Sequence, residues 1–165
     1  MFVPEGGNNA EGLHGCTEIL TSIADADGYT HILCSMGTGT TFKGLAVAAK
    51  QHQTVIGIPA LKIKADEQKL FMQQHAQIKT EAGTVVLFQF AGAGYARTTN
   101  DQLNFMNLFY TKTSIPTDIV YTGKLVQAAV TLAEQDYFPQ NSRVLLIHSG
   151  GLQGNSSLPP GKLLF

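Results

Sequence analysis

The chain has 165 residues, of which 44% are hydrophobic and 14% charged, and its formal net charge is −1. This length is typical of about one domain with a buried core, and the near-neutral charge offers no basic surface for nucleic acid. No apolar stretch approaches the ~20 residues of a membrane helix, and the N-terminus lacks the basic start and apolar core of a signal peptide. We therefore expect a cytoplasmic protein that binds neither nucleic acid nor membrane.

The cysteines and histidines are not spaced as metal ligands. Cys16 and Cys34 have no CxxC partner, and the five histidines form no HExxH-type pair. We expect reduced thiols that serve packing, and no metal site. The low share of charged residues indicates that further protein covers part of the surface, so we also expect a homodimer or another association through uncovered surface.

Apolar periodicity and turn residues predict alternating helices and strands. Asn8 or Asn9 can cap a first helix that begins near Ala10 and ends near residue 24. The next predicted elements are strand 30–35, helix 41–51, strand 54–58, helix 66–79, strand 84–89, helix 101–113, a very short strand 119–121, helix 123–135 and strand 143–147. The strands are continuous apolar runs, which predicts an α/β fold with a parallel, doubly wound sheet and helices on both faces.

A glycine–threonine loop (residues 37–41) joins the first predicted strand to the second predicted helix, in the sequence CSMGTGTTFKGL. Glycines let the backbone approach an anion, the helix start favours negative charge, and threonine hydroxyls add donors. The loop contains no lysine and matches neither GxxxxGK[ST] nor GxGxxG, so it suits one monophosphate held mostly by backbone. A tight turn without a ligand is the alternative. The candidate phosphate-binding residues are Gly37, Thr38, Gly39, Thr40 and Thr41.

Three other unusual segments directly follow predicted strands. They are the small-residue segment 92–95, the pair Tyr121 and Thr122, and segment 148–151. In open parallel sheets, ligands bind beyond the carboxyl ends of the strands. The three segments and the glycine–threonine loop therefore predict one binding site at one edge of the sheet.

Five segments, in this order, resemble the pyridoxal-phosphate (PLP) enzymes of the 1-aminocyclopropane-1-carboxylate (ACC) deaminase and D-cysteine desulfhydrase family: VPEGGNNAEGLHGC, SMGTGTTFKGLA, AGYARTT, IVYTGK and LLIHSGGLQG. The resemblance implies the tryptophan-synthase-β fold, also called fold type II. It implies a lyase or deaminase that releases ammonia and a 2-oxo acid from a small amino acid. By the same resemblance, residues 37–41 hold the PLP phosphate, Tyr95 and Tyr121 are catalytic residues beside substrate and cofactor, and Thr122 and Ser149 bind the cofactor.

The sequence departs from the family pattern in one large respect. Family members are much longer, and their additional N-terminal portion carries the Schiff-base lysine in a GNKxRK-like motif and a Ser-Asn segment that contacts the substrate. Neither motif occurs in this sequence. The resemblance thus implies one α/β domain over residues 1–165 that is the incomplete C-terminal half of such an enzyme and is inactive alone. The alternative is a non-catalytic phosphate-ligand-binding domain or fragment that needs a partner chain.

Several candidate residues also have a structural interpretation. Tyr121 can be a core tyrosine with a satisfied hydroxyl, and Thr122 is typical of a helix N-cap. Lys124 is expected as a surface residue in the first turn of a helix. His148 is expected to be buried and hydrogen-bonded rather than to act as an acid or base.

The residues at positions 122 and 149 also bear on the substrate. Family members that open the ring of ACC carry a glutamate and an apolar residue where this chain has Thr122 and Ser149. A neutral hydroxyl cannot balance a protonated pyridine nitrogen as a carboxylate does, so the cofactor ring should be a weaker electron sink. A weaker sink suffices when a good leaving group departs. The resemblance therefore favours D-cysteine over ACC as the substrate.

Overall fold

The computed structural model describes residues 3–76 and 79–165, and its centre is a four-stranded, all-parallel sheet. The strands are ordered β3-β2-β1-β4, so the chain winds outward from β1 in both directions. This arrangement confirms the predicted α/β class. The strand bounds are β1 His31–Met36, β2 Thr54–Pro59, β3 Gly83–Val86 and β4 Val144–Ile147.

Helices cover both faces of the sheet. On one face, α1 and α2 pack on Ile32, Cys34 and Met36 of β1. On the other face, α5 packs on Leu33 of β1 and Ile56 of β2. Successive strand residues point to opposite faces, so the continuous apolar runs supply both cores. The helix bounds are α1 Ala10–Thr21, α2 Thr40–Ala48, α3 Ala65–Ala76, α4 Asn100–Thr113 and α5 Thr122–Glu134.

Several predicted boundaries are confirmed and several are corrected. The side chain of Asn9 accepts a hydrogen bond from the backbone N–H of Gly12 at 2.8 Å, which confirms the predicted cap of α1. α2 ends at Ala48 rather than at residue 51, and β3 gives way to a 3-10 turn at Phe88–Ala91. The predicted end of the helix 66–79 lies partly outside the described residues.

The predicted short strand 119–121 is wrong. These residues form a turn, because the Asp118 carboxylate accepts the backbone N–H groups of Val120 and Tyr121. Those donors are therefore not available to a neighbouring strand. Over the described ranges, no helix combines the length and the apolar character that a membrane span requires.

Candidate active site

A cavity of about 550 Å³ opens at the carboxyl edge of the sheet, where the segments after β1, β2 and β4 meet. This volume lies within the roughly 300–1,000 Å³ of small-molecule sites. Eight of the nine candidate residues line it, and only Thr122 does not. The lining residues are Glu5, Gly6, Ser35, Gly37, Thr38, Gly39, Thr40, Thr41, Leu61, Tyr95, Tyr121 and Ser149.

The glycine–threonine loop presents an uncapped helix start to this cavity. Gly39 is the residue before α2, has a φ of 84° and provides no capping side chain. A left-handed backbone of this kind is readily available only to glycine. The hydroxyls of Thr38 and Thr40 lie 3.0 Å apart, so they share one hydrogen bond beside the helix start. The loop thus offers N–H groups, hydroxyls and the positive end of a helix dipole in one place.

The N-terminal segment packs tightly against this loop. The Thr38 hydroxyl donates to the Gly6 carbonyl at 3.5 Å, and a Cβ on Gly6 would overlap the Thr38 side chain. On the other side of the loop, a Cβ on Gly37 would lie 3.3 Å from the Tyr121 hydroxyl. Glycines at these two positions therefore let neighbouring segments close around the loop.

Two tyrosines form another part of the cavity wall. The rings of Tyr95 and Tyr121 lie 6.3 Å apart at 76°, an edge-to-face arrangement. Tyr95 is 54% exposed. Burial, followed by a hydrogen bond with Tyr95, raises the pKa of Tyr121 to about 12. The Tyr121 hydroxyl therefore keeps its proton at neutral pH.

Asp118 is the residue that holds Tyr121 in place, and the sequence analysis missed it. Its carboxylate accepts the backbone N–H groups of Val120 at 2.7 Å, Tyr121 at 2.9 Å and Thr122 at 2.7 Å. It also accepts the Thr122 hydroxyl at 2.7 Å. Asp118 is fully buried, and these donors compensate its charge. The signal was an aspartate just before a helix start, because aspartate side chains bind the N–H groups that follow them.

The structure corrects the two roles considered for Thr122. The residue is fully buried, donates to the Asp118 carboxylate and accepts the Asp118 backbone N–H at 2.7 Å. It is the first residue of α5, and Asp118 rather than Thr122 caps the helix start. Its hydroxyl is committed within the turn, so it does not face the cavity as the resemblance implied.

The segment after β4 brings Ser149 to the cavity and holds His148 outside it. The φ angles of 83° at Gly150 and 90° at Gly151 turn the chain immediately after Ser149. His148 is exposed, contrary to the prediction, although it is hydrogen-bonded as predicted. Its Nδ1 accepts the Gly150 N–H at 3.3 Å, which makes Nε2 the donor to the Pro116 carbonyl at 2.9 Å. This tautomer follows from the hydrogen bonds, and it describes a neutral structural histidine.

Lys124 also differs from the prediction. It is 3% exposed rather than at the surface, and its ammonium contacts backbone carbonyls. Burial lowers its pKa, and the nearby Asp118 charge partly opposes that shift. Within the described part of the chain, no lysine is among the residues that line the cavity.

The cysteines are free thiols that pack around the loop. Cys34 is buried in β1, and burial raises its pKa to about 12. The Cys16 sulfur on α1 lies 3.9 Å from the Thr41 hydroxyl, and a Cβ on Gly44 would overlap Cys16. These contacts seat α2 closely against α1. Among residues 3–76 and 79–165, no group of three or more His, Cys, Asp or Glu side chains is placed to hold a metal ion.

Comparison with known proteins finds relatives among curated enzymes. The chain is 26% identical over 162 residues to a D-cysteine desulfhydrase of Klebsiella pneumoniae subsp. pneumoniae, covering 90% of this chain and 49% of the relative. It is 24% identical over 165 residues to a putative ACC deaminase of Thermotoga maritima, covering 92% and 52%. It is 30% identical over 132 residues to an ACC deaminase of Mesorhizobium japonicum, covering 73% and 39%. No protein-family model matches the chain.

A solved structure described as that of an ACC deaminase homologue has the same fold. It aligns with a TM-score of 0.74 and 20% identity, covering 93% of this chain and 50% of that one. The relatives in sequence and structure confirm the resemblance to ACC deaminases and D-cysteine desulfhydrases. The chain spans about half the length of the curated relatives it matches.

Proposed function

We propose that this chain holds PLP in the cavity at the carboxyl edge of the sheet and forms the cofactor-binding part of a lyase or deaminase acting on a small amino acid. One observation carries the proposal: an uncapped helix start with three threonine hydroxyls faces the same cavity as two tyrosines and Ser149. In this assignment the domain, residues 1–165, contributes to the large domain of a fold type II enzyme.

The phosphate fits the glycine–threonine loop. A monophosphate dianion needs several donors and a positive potential, and the start of α2 supplies both without a lysine. Gly39 leaves the backbone open where the anion approaches, and the Thr38 hydroxyl, whose contact with the Gly6 carbonyl is long at 3.5 Å, would turn to the anion and complete the donor set with Thr41. The loop therefore anchors the cofactor by its phosphate.

The rest of the cavity suits the cofactor ring and a substrate. Bound PLP would serve as the electron sink for bond cleavage at the substrate. Ser149, exposed at the end of β4, would donate to or accept from the pyridine nitrogen. The Tyr121 hydroxyl remains protonated at neutral pH and, next to Tyr95, would hold a proton near the substrate.

D-cysteine is the preferred substrate in this proposal. With Thr122 committed to Asp118, Ser149 is the candidate group left for the pyridine nitrogen. The Asp118 carboxylate already accepts four hydrogen bonds, so it does not replace the glutamate of ACC-opening relatives. A neutral ring nitrogen suffices for loss of a thiolate, but it disfavours opening of a carbon–carbon bond. A complete enzyme with this half should therefore release sulfide and pyruvate from D-cysteine, and efficient turnover of ACC alone would contradict the assignment.

The chain by itself should have no turnover. PLP enzymes bind the cofactor through a lysine, and no lysine lines the cavity among the described residues. We assign that lysine to polypeptide outside this sequence and expect association, including homodimerisation, through surface that such polypeptide would cover. Measurable turnover of D-cysteine or ACC by the purified chain would contradict this part of the proposal.

The binding role can be tested with PLP and inorganic phosphate. Gly39→Val should weaken both by at least about 100-fold, because a β-branched side chain strains the left-handed backbone and blocks the anion. The matched control is Gly161→Val, since Gly161 also has a positive φ, 80°, with open space around it. Calorimetric titration measures both variants. Unchanged affinity in Gly39→Val would show that the loop is not the anchor.

Non-catalytic binding of a phosphate ligand is the second candidate function, and the absence of a lysine from the described cavity wall favours it. Borohydride treatment of the PLP-saturated chain together with the rest of an enzyme separates the two functions, because the proposal assigns the Schiff-base lysine to polypeptide outside this sequence. A covalent adduct on one lysine, found by mass spectrometry and lost on mutating that lysine, supports an enzyme. Reversible binding without an adduct, persisting after the rest of an enzyme is supplied, supports a binder.

A further inference from the structure

Lys124 is a buried cation that joins two segments of the cavity wall. Its side chain is 3% exposed, and its Nζ donates to the Ala60 carbonyl at 3.0 Å and to the Gly94 carbonyl at 2.6 Å. An ammonium taken out of water is costly unless it is hydrogen-bonded, so these two carbonyls fix where the side chain ends. The contact holds segments that are 34 residues apart in the sequence.

The two carbonyls precede residues that line the cavity. Ala60 follows β2 and is followed by Leu61, and Gly94 is followed by Tyr95. Gly94 has a φ of 105°, and a Cβ on Gly92 would lie 3.6 Å from the Lys124 side chain. The loop that carries Tyr95 is therefore made of small residues and contains few side chains that could fix it by packing. The Lys124 amino group, which keeps at least two N–H donors whether it is charged or neutral, supplies the contact that such a loop needs.

Lys124 and Asp118 act on opposite members of the tyrosine pair. Asp118 accepts the Tyr121 backbone N–H at 2.9 Å, whereas Lys124 donates to the residue before Tyr95. Both charged groups are buried at the start of α5, close enough to interact electrostatically. Segment 118–124 thus fixes the backbone at Tyr121 and, through the Gly94 carbonyl, next to Tyr95.

We propose that Lys124 is a positioning residue that holds Tyr95 against Tyr121 through the Gly94 carbonyl. The proposal deepens the function given above, because it concerns the wall of the same cavity. If Lys124 had only a general role in the fold, replacing it would change the stability of the chain and leave the contact between Tyr95 and Tyr121 unchanged.

The test is the ionisation of Tyr121, followed by ultraviolet absorbance of the phenolate. The groups that act on this hydroxyl besides burial are Tyr95, Asp118 and Glu5, and the hydrogen bond with Tyr95 raises its pKa. Subtracting the titration of Tyr121→Phe isolates the Tyr121 signal. Lys124→Met should move the Tyr121 midpoint from about 12 toward the usual value of 10.0, by about one unit, because the loop no longer holds Tyr95 in place.

Four further variants sharpen the result. Lys69→Met, at an exposed position on α3, should leave the midpoint unchanged. Tyr95→Phe should lower it, and adding Lys124→Met to Tyr95→Phe should lower it no further, since both changes remove the same hydrogen bond. Lys124→Gln, a shorter neutral donor, should give an intermediate midpoint.

The experiment needs no cofactor, so it can succeed even if the phosphate assignment fails. An unchanged Tyr121 midpoint in Lys124→Met, or a further decrease in the double variant, overturns the proposal. Failure of both Lys124→Met and Lys124→Gln to fold also overturns it, because Lys124 would then support the fold in general rather than the Tyr95 loop.

Discussion

Two loops of the cavity wall satisfy their polar groups in different ways. In the turn before α5, the Asp118 carboxylate accepts three backbone N–H groups and one hydroxyl, and all of these partners belong to the same turn. At the start of α2, no side chain caps the helix, and the loop faces a cavity. The turn before α5 pairs its N–H groups with its own carboxylate, whereas the backbone N–H groups at the start of α2 have no side-chain acceptor and are open to a ligand. The difference shows that the Asp118 turn positions side chains, and it supports the proposal that the glycine–threonine loop binds a ligand.

The largest effect should come from Asp118→Asn. The amide keeps the shape but loses the charge, and its NH2 group faces donors instead of acceptors. Leaving several buried donors without an acceptor should lower the free energy of unfolding by about 3 kcal/mol. Urea denaturation measures the change. Asp136→Asn, at an exposed position with a φ of 53°, is the matched control and should stay within about 0.5 kcal/mol of the parent chain.

Thr122→Val should have a smaller effect on stability and none on the cofactor. The substitution removes a buried hydroxyl that both donates to and accepts from Asp118, which should cost about 1–2 kcal/mol. Because Thr122 lies outside the cavity, the absorbance spectrum and the affinity of bound PLP should match those of the parent chain. A shifted cofactor spectrum would instead show that Thr122 contacts the cofactor, as the resemblance implied.

Thr38→Val should give the reverse pattern. Its hydroxyl lines the cavity at the open helix start, so losing its contact with the phosphate removes about 0.5–1.5 kcal/mol of binding free energy, roughly a twofold to twelvefold weaker affinity. Without ligand, the midpoint of thermal unfolding should fall less than in Thr122→Val, because the Thr38 contacts with Gly6 and Thr40 lie beside the cavity and not in a fully buried turn. Calorimetry with inorganic phosphate measures the affinity. Equal losses in stability and affinity would mean that both loops are organised in the same way.

The sequence was sufficient for the parts of this comparison that depend on local pattern. Apolar runs predicted the parallel strands, and the glycine–threonine spacing predicted an open helix start after β1. Strand direction then placed the segments after β1 and β4 at one edge, because parallel strands all end on the same side of a sheet, whereas Tyr121 reaches that edge through the Asp118 turn and not through a strand. Six of the eight candidate residues found on the cavity wall, residues 37–41 and Ser149, lie in segments that directly follow strands.

What the sequence did not predict depends on contacts between distant or competing groups. Asp118 and Thr122 are both typical capping residues, and only the folded turn shows that the carboxylate takes the N–H groups. Lys124 looked like a surface residue because lysine is almost never fully buried without partners. Its partners are the carbonyls of Ala60 and Gly94, which leave no trace in the sequence because every residue has a carbonyl.

The last expected effect concerns the pH dependence of stability at Tyr121, which the Asp118 turn holds in the cavity wall. The pKa of this tyrosine is raised from 10.0 to about 12, with burial as the main cause. Below pH 10 the phenol is neutral in the folded and unfolded chains, and its contribution to stability is fully present. As the pH rises from 10 toward about 12, the unfolded chain loses this proton first, so the contribution is lost.

Tyr121→Phe removes the titration, and the stability difference between the two chains should therefore shrink across this window. Denaturant unfolding from about pH 9 to about pH 11.5 measures it, with exposed Tyr137→Phe as the control. Lysine and other tyrosine titrations are common to the compared chains and cancel. A difference that stays constant across the window would mean that the Tyr121 hydroxyl is as well solvated in the folded chain as in the unfolded one.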